Sequence, residues 1–177
     1  MRILKTAAVT FVVFIAAVAV IGFFLPTKYA VERSVVIDAT PEKIHGYVED
    51  LKKWDEWAPW KGEAPSIVVT LGEKTSGVGA SQSWVGDSGT GALTITKSSP
   101  ENGIEYDLLF DGGRYECKSS MKYSRLPDGG TKVTWKMSGD MGRSLTGGYF
   151  AILMGSMVGS IFEKGLSNLK STVERGG

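Results

Sequence analysis

Few side chains in this sequence combine the type and the spacing that catalysis requires. His45 is the one histidine, and it follows Ile44 off the apolar stripe of a predicted helix, so we interpret it as a solvent-exposed residue and not as a general base. Cys117 is the one cysteine, and no neighbouring base in the sequence would activate it as a nucleophile. We therefore expect Cys117 to be a buried, unreactive thiol.

Asp55, Glu56 and Arg143 are the charged residues that could act on a substrate. Asp55 and Glu56 lie between tryptophans in a predicted loop, and their adjacency alone does not make an acid–base pair. Arg143 precedes the last predicted helix, where a guanidinium could bind a ligand carboxylate or phosphate at the mouth of a cavity. The alternative for Arg143 is a solvated loop charge. We predict no catalytic residue from these patterns, which favours a protein that is not an enzyme.

The composition excludes several classes of protein. The formal net charge is +1 and the sequence pI is about 7.8, so there is no strong positive field to attract nucleic acid, and we predict no nucleic-acid partner. One cysteine and one histidine cannot form a disulfide framework, a cysteine-rich metal site or a multi-histidine metal centre. We accordingly predict no metal site and no cofactor.

Residues 6–25 form an uncharged apolar segment that is long enough to cross a bilayer. Counted from residue 7, the segment is about 19 residues or roughly 28 Å of helix, close to the ~30 Å hydrocarbon thickness of a membrane. We predict a short tail at residues 1–5, a transmembrane helix or signal anchor at residues 6–25, and one ligand-binding domain at residues 28–177. The chain would then be a single-pass protein of the cell membrane.

Two other interpretations of the apolar segment stay open. A cleaved signal peptide would need a small residue where Lys28 stands before Ala30, and a buried core helix that is apolar on every side does not suit so small a domain. Charge gives a weak orientation signal, because two basic residues precede the segment and two follow it closely. The very short tail favours an internal N-terminus, which places the domain on the extracytoplasmic side.

Beyond residue 28 the sequence has the alternation of an antiparallel sheet and ends in a helix. Thr40 and Pro41 are typical of a helix start, and apolar residues then recur at helical spacing as far as Trp54. Glycine-rich turns separate the runs that follow, which indicates a meander of hairpins. The candidate strands span residues 28–39, 66–71, 78–85, 91–97, 103–110, 114–125 and 131–138. A long apolar helical face then runs from Phe150 to Val173.

The alternation within the strands indicates which side chains face inward. Charged residues occupy one set of positions and belong to water, so the other set faces the helix that must cover the sheet. The inward set mixes aromatic rings, methionines and hydroxyl groups, which is typical of the lining of a ligand cavity. The predicted cavity comprises Trp84, Tyr106, Phe110, Tyr115, Ser119, Met121, Trp135, Met137, Phe150, Met154 and Val158, with Trp60, Met141 and Arg143 at its mouth. A filled core whose tyrosine hydroxyls reach the surface is the alternative.

Three segments resemble a known superfamily. The chain is similar to SRPBCC (START/Bet v 1-like) proteins, within the bacterial polyketide cyclase/dehydrase-like group, at residues 31–44 and 54–60. Residues 162–170 are similar to the closing helix of that family. The resemblance implies an α+β helix-grip fold, in which a curved antiparallel sheet of about seven strands wraps around a long C-terminal helix. It also implies a pocket for an apolar small molecule or lipid, and the transmembrane helix is an addition to that fold.

Three functional hypotheses follow, of which we prefer the first. It is a membrane-anchored domain that binds a hydrophobic small molecule or lipid between sheet and C-terminal helix, with the membrane and that molecule as its partners. The second is an enzyme similar to polyketide cyclases and aromatases, in which Tyr106 or Ser119 assists proton transfer. The third is an interaction domain with a filled core, in which Trp54, Trp57 and Trp60 form a docking patch.

Overall fold

One antiparallel sheet organises the domain, in the strand order β1-β7-β6-β5-β4-β3-β2. The computed structural model describes residues 2–60, 66–87 and 89–176. The strands are β1 (Lys28–Ile37), β2 (Val68–Leu71), β3 (Ser81–Gly86), β4 (Gly89–Ser99), β5 (Gly103–Phe110), β6 (Tyr115–Arg125) and β7 (Thr131–Asp140). Successive strands from β2 to β7 pair as hairpins, and β1 pairs with β7. The predicted antiparallel sheet of about seven strands is confirmed, and its last six strands form the predicted meander.

Within the residues that the structure describes, four α-helices accompany the sheet: α1 (Arg2–Phe24), α2 (Pro41–Val48), α3 (Trp54–Trp57) and α4 (Gly147–Arg175). The Thr40 hydroxyl accepts a hydrogen bond from the Lys43 amide at 3.4 Å, and Pro41 occupies the first turn, so α2 begins where the sequence predicts. The predicted apolar stripe does not form one continuous helix, because Asp50 pairs with Ser76 and a 3-10 turn precedes α3. The predicted α+β helix-grip class is confirmed.

Helix α4 lies along β1 and runs in the same direction. Near its middle, Glu163 pairs with Arg33 at 2.5 Å from Oε1 to Nε. Near its end, the Glu174 carboxylate accepts from the Asp38 amide at 2.9 Å. Packing of α4 is heaviest on β1, lighter on β7, and weak or absent on β3 to β6 among the described residues. The helix therefore lies over the β1 side of the concave face.

Two buried tryptophans complete the core at the end of the sheet that carries α2 and α3. Trp54 and Trp57 are only 2% and 1% exposed, and their indole N–H groups donate to the carbonyls of Val48 and Tyr47 at 2.8 Å and 3.1 Å. The predicted docking patch of three tryptophans is therefore wrong, since only Trp60 retains partial exposure. The reason is that α3 turns inward, so that the rings of Trp54 and Trp57 lie in the core.

Candidate functional site

Five of the predicted cavity residues lie in the filled part of the core. Tyr106, Ser119, Met121, Trp135 and Met137 are all at most 4% exposed. The Trp135 indole donates to the Tyr106 hydroxyl at 2.8 Å, and the Ser119 hydroxyl donates to the Lys136 carbonyl at 2.8 Å. Both hydroxyls that the enzyme hypothesis invoked therefore already have partners within the protein.

The Tyr106 hydroxyl is poorly suited to proton transfer. Burial raises the pKa of Tyr106 to about 12, although hydrogen bonds with Ser119 and Trp135 act in the opposite direction. A group with that pKa stays protonated at neutral pH. An effective general acid or base instead has a pKa near the pH at which the enzyme works. The arrangement favours a structural role for this tyrosine.

Three predicted cavity residues form a row at the opposite end of the sheet, which we call the aromatic rim: Trp84, Phe110 and Tyr115. Each faces inward, and the pairing of β3 to β6 brings them side by side through Gly91. The Trp84 and Phe110 rings meet edge to face with 5.6 Å between centroids. All three side chains are half-buried, in contrast to the closed packing around Trp135. The rim is an apolar surface at an open end of the concave face.

Gly91 makes this arrangement of rings feasible, and the sequence analysis missed it. A Cβ atom at that position would overlap the Trp84 indole and approach the Leu109 carbonyl. A glycine inside a strand marks a site where another group approaches the backbone closely, which is the signal that could have identified it. Met141 also lies at this end, with its amide donating to the Thr27 carbonyl at 3.0 Å, and it is half-buried.

The three predicted cavity residues of α4 differ in burial along the helix. Val158 is buried, Met154 is half-buried, and Phe150 is 56% exposed, so the Phe150 ring is not enclosed between helix and sheet. The two remaining mouth residues lie apart from each other. Trp60 packs edge-on to Trp135, with 6.3 Å between ring centroids, whereas the exposed Arg143 guanidinium lies 5.9 Å from the Phe23 ring centroid.

An open depression of about 1050 Å³ lies across the outer face of the sheet. Its lining consists of Lys28, Tyr29, Ala30, Ala92, Thr94, Thr96, Asp107, Leu108, Leu109, Glu116, Cys117, Lys118, Ser138, Gly139 and Asp140. Most of these side chains point away from α4, and none belongs to the predicted cavity. Two lysines and three carboxylates share this surface with apolar side chains, and the depression is open to solvent, whereas a ligand pocket encloses most of its ligand. We therefore place the candidate site at the aromatic rim.

His45 is buried, at 3% exposure, so its predicted position on the solvated surface is wrong. Its Nδ1 atom lies 3.4 Å from the Tyr123 hydroxyl, and its Nε2 atom lies 3.0 Å from the Ser98 hydroxyl and 3.3 Å from the Glu49 carboxylate. Burial lowers the pKa of His45, while the carboxylates of Glu49 and Glu101 partly oppose that shift. A Glu four residues after a helical His was the signal for this pairing.

Cys117 is buried as predicted. Its Sγ atom lies 2.9 Å from the Tyr29 hydroxyl, and burial raises the pKa of the thiol. Cys117 thus lacks the features of an activated nucleophile. Over the described ranges, His, Cys, Asp and Glu side chains form no group of three suited to hold a metal ion.

Comparisons with known proteins agree with this architecture. The sequence profile of the family described as polyketide cyclase/dehydrase and lipid transport matches residues 28–174, which leaves α1 outside the match. No curated protein matches the chain.

Solved structures of the same fold are similar only at low sequence identity. A solution structure from Thermobifida fusca shares 18% identity over 82% of this chain and 93% of its own, with a TM-score of 0.64. Ara h 8.0201 shares 15% identity over 84% of this chain and 99% of its own, with a TM-score of 0.54. DynU16, from the dynemicin biosynthetic locus, shares 16% identity over 83% of this chain and 48% of its own, with a TM-score of 0.59. These likenesses concern the fold.

Proposed function

Since the chain belongs to the polyketide cyclase/dehydrase and lipid transport family, a family of SRPBCC-type ligand-binding domains, we propose that it is a membrane-anchored domain that binds a hydrophobic small molecule or a lipid. The proposed site is the concave face at the open end of the sheet, between the aromatic rim and the first half of α4. The observation that carries the proposal is the rim itself. Three half-buried rings line an inward-facing surface, on strands whose backbone has few or no close contacts with α4 in the described ranges.

The proposed anchor is α1. This helix is the one candidate membrane span among the described residues, its side chains are mostly exposed, and it lies outside the region that matches the family. Three residues separate the end of α1 from Lys28, where β1 begins at the same end of the sheet as the rim. An apolar ligand partitions into a bilayer, so a site held beside the membrane meets a high effective concentration of that ligand.

A cyclase-like activity has less support. It would require a hydroxyl group free to exchange a proton with a substrate, and the hydroxyls of Tyr106 and Ser119 are buried and hydrogen-bonded within the core. Removal of either hydroxyl should therefore affect stability before it affects any chemistry.

Photocrosslinking tests the proposed binding site directly. The full chain in lipid nanodiscs is irradiated with a diazirine-bearing fatty acid, with or without excess oleic acid, and the crosslinked peptides are identified by mass spectrometry. We expect oleic acid to suppress crosslinks to β5, β6 and the first half of α4. Phe110→Ala should reduce these crosslinks, because it removes a rim side chain.

Leu109→Ala is the matched control. Leu109 adjoins Phe110 in the same strand but faces the outer groove, so its removal should leave the rim crosslinks unchanged. Crosslinks confined to α1, or crosslinks that fall with Leu109→Ala and persist with Phe110→Ala, would contradict binding at the rim.

A further inference from the structure

The first half of α4 belongs to an uncharged stretch of 19 residues, from 144 to 162, which lies between Arg143 and Glu163. Part of this stretch packs on the sheet, through buried residues such as Val158 and Phe162. The remainder is exposed and carries no charge. Exposure without charge over so many consecutive residues is unusual for the water-facing side of a helix.

The exposed face of α4 changes character halfway along the helix. In the first half the exposed residues are Phe150, Ile152, Leu153, Ser156, Met157 and Ser160, and the four apolar ones are 51% to 63% exposed. In the second half the exposed residues are Glu163, Lys164, Ser167, Ser171, Glu174 and Arg175. Both sets of residues are exposed, so packing within the domain does not explain why one set is apolar and the other polar. An apolar environment outside the domain, around the first half of α4, does explain it.

This apolar face is continuous with the end of α1. The Tyr149 hydroxyl of α4 donates to the Val18 carbonyl of α1 at 2.8 Å. Gly148 lies directly against Leu25 and the Gly22 carbonyl, and a Cβ atom at this position would overlap Leu25, the residue that follows α1. Leu145, which precedes α4, is 58% exposed on the same side of the molecule as these contacts. The start of α4 is therefore held beside the last two turns of α1.

We infer that the first half of α4, together with Leu145, is embedded in the leaflet that surrounds the end of α1. This inference rests on the proposed function, in which α1 spans the bilayer. Val18 lies six residues before the end of α1, which is roughly 9 Å along the helix. A tyrosine that bonds to Val18 is thus at membrane depth, and the adjoining side chains of Phe150, Leu153 and Met157 meet lipid.

The hydrogen bonding of the polar groups in the first half of α4 is compatible with a lipid environment. The Ser156 hydroxyl donates to the Leu153 carbonyl at 3.1 Å, and the Ser160 hydroxyl donates to the Ser156 carbonyl at 3.1 Å, so both are satisfied within the helix. Arg143, beside the Phe23 ring, can direct its guanidinium to lipid phosphates. The open end of the sheet would then face the bilayer, and a ligand could pass from lipid to the rim.

Depth-dependent quenching tests the inference on the full chain. Cys117→Ser provides the background, and single cysteines introduced by Leu153→Cys or Met157→Cys carry an NBD fluorophore in nanodiscs that hold one chain each. Ser167→Cys is the matched control, because it occupies the exposed face of the same helix in its polar half. We expect doxyl groups near the lipid headgroups to quench the labels at 153 and 157 and to leave the label at 167 unaffected.

A further label separates this inference from the anchor. A fluorophore introduced by Val13→Cys lies in the middle of α1 and should be quenched by doxyl groups deep in the acyl chains. If that label is quenched while labels at 153 and 157 behave like the one at 167, the anchor stands and the inference is wrong. Blue-shifted emission at 153 and 157 without lipid quenching would indicate that protein covers this face, which also overturns the inference. If doxyl groups deep in the acyl chains do not quench the label at residue 13, the proposal that α1 spans the bilayer is wrong.

Discussion

The indole of Trp135 on β7 lies flat against the phenyl ring of Phe162 on α4, with 4.1 Å between ring centroids and 8° between ring planes. Trp57 meets the same indole edge to face at 5.7 Å. Both Trp135 and Phe162 are almost wholly buried, so this stack fixes the second half of α4 to the sheet. Among the described residues, no ring stack of this kind joins the first half of α4 to the sheet, and the rim rings at that end are only half-buried. The domain is consequently closed more tightly beside Trp135 than at the rim.

Phe162→Ala should destabilise the domain by about 3–5 kcal/mol, because it deletes a buried ring and leaves a cavity beside Trp135. Urea unfolding of the full chain in mild detergent, followed by tryptophan fluorescence, measures the change. Phe150→Ala is the control on the same helix, and since that ring is exposed we expect a change below about 1 kcal/mol. Similar losses in the two variants would show that the stack does not hold α4.

Two glycines of α4 offer a matched pair of substitutions. A Cβ atom at Gly165 would lie 2.7 Å from Cζ3 of Trp135 and 3.2 Å from Cδ of Pro59, whereas a Cβ at Gly155 meets nothing within 4 Å. Gly165→Ala should therefore cost about 1–3 kcal/mol through overpacking. Gly155→Ala should stabilise the chain by up to about 1 kcal/mol, because alanine favours helix. Thermal unfolding of both variants checks the pair, and stabilisation by Gly165→Ala would contradict the close packing described here.

Tyr106→Phe should lower the free energy of unfolding by about 1–3 kcal/mol, because the buried Trp135 indole N–H loses its acceptor. Tyr115→Phe removes a hydroxyl at the half-buried rim and should change stability by less than about 0.5 kcal/mol. Denaturant titrations of the two variants give the comparison. Unchanged stability in Tyr106→Phe would mean that its hydroxyl is available for another role, which would revive the enzyme hypothesis.

Periodicity was sufficient to predict most of the fold. Alternation placed the strands to within a few residues, because one face of this sheet is charged and the other is apolar. The position of α4 over the sheet followed from its apolar face and from the need to cover an antiparallel sheet. Neither signal shows where along β1 the helix lies, and that offset determines which inward residues are enclosed.

The candidate site was harder to predict for the same reason. The alternation of side chains along β5 identified Tyr106 and Phe110 as facing the same side of the sheet. It could not show that Tyr106 is buried against Trp135 while Phe110 is only half-buried. Whether a face of α4 is packed or exposed also depends on distant contacts, as the exposed ring of Phe150 shows. His45 was misplaced because its partners Ser98 and Tyr123 come from strands far away in the sequence.

The buried imidazole of His45 should make the domain less stable in mildly acidic solution. Burial holds the pKa of His45 below its ordinary value of 6.5, so between pH 6.5 and that lower value the unfolded chain binds a proton that the folded chain does not. The stabilising effect of the neutral ring is therefore complete above pH 6.5 and is lost as the pH falls through the folded pKa. The neighbouring carboxylates of Glu49 and Glu101 reduce the size of this loss, because they favour the protonated ring.

His45→Gln isolates that contribution, because an amide can still bond to Tyr123 and Ser98 but does not titrate. We expect the urea midpoint of the parent chain to fall more steeply than that of His45→Gln between about pH 7.5 and pH 5. The comparison concerns the two slopes, so an overall loss of stability in the variant does not affect it. Parallel slopes would assign the acid sensitivity to carboxylates elsewhere and would contradict a burial-driven shift at His45.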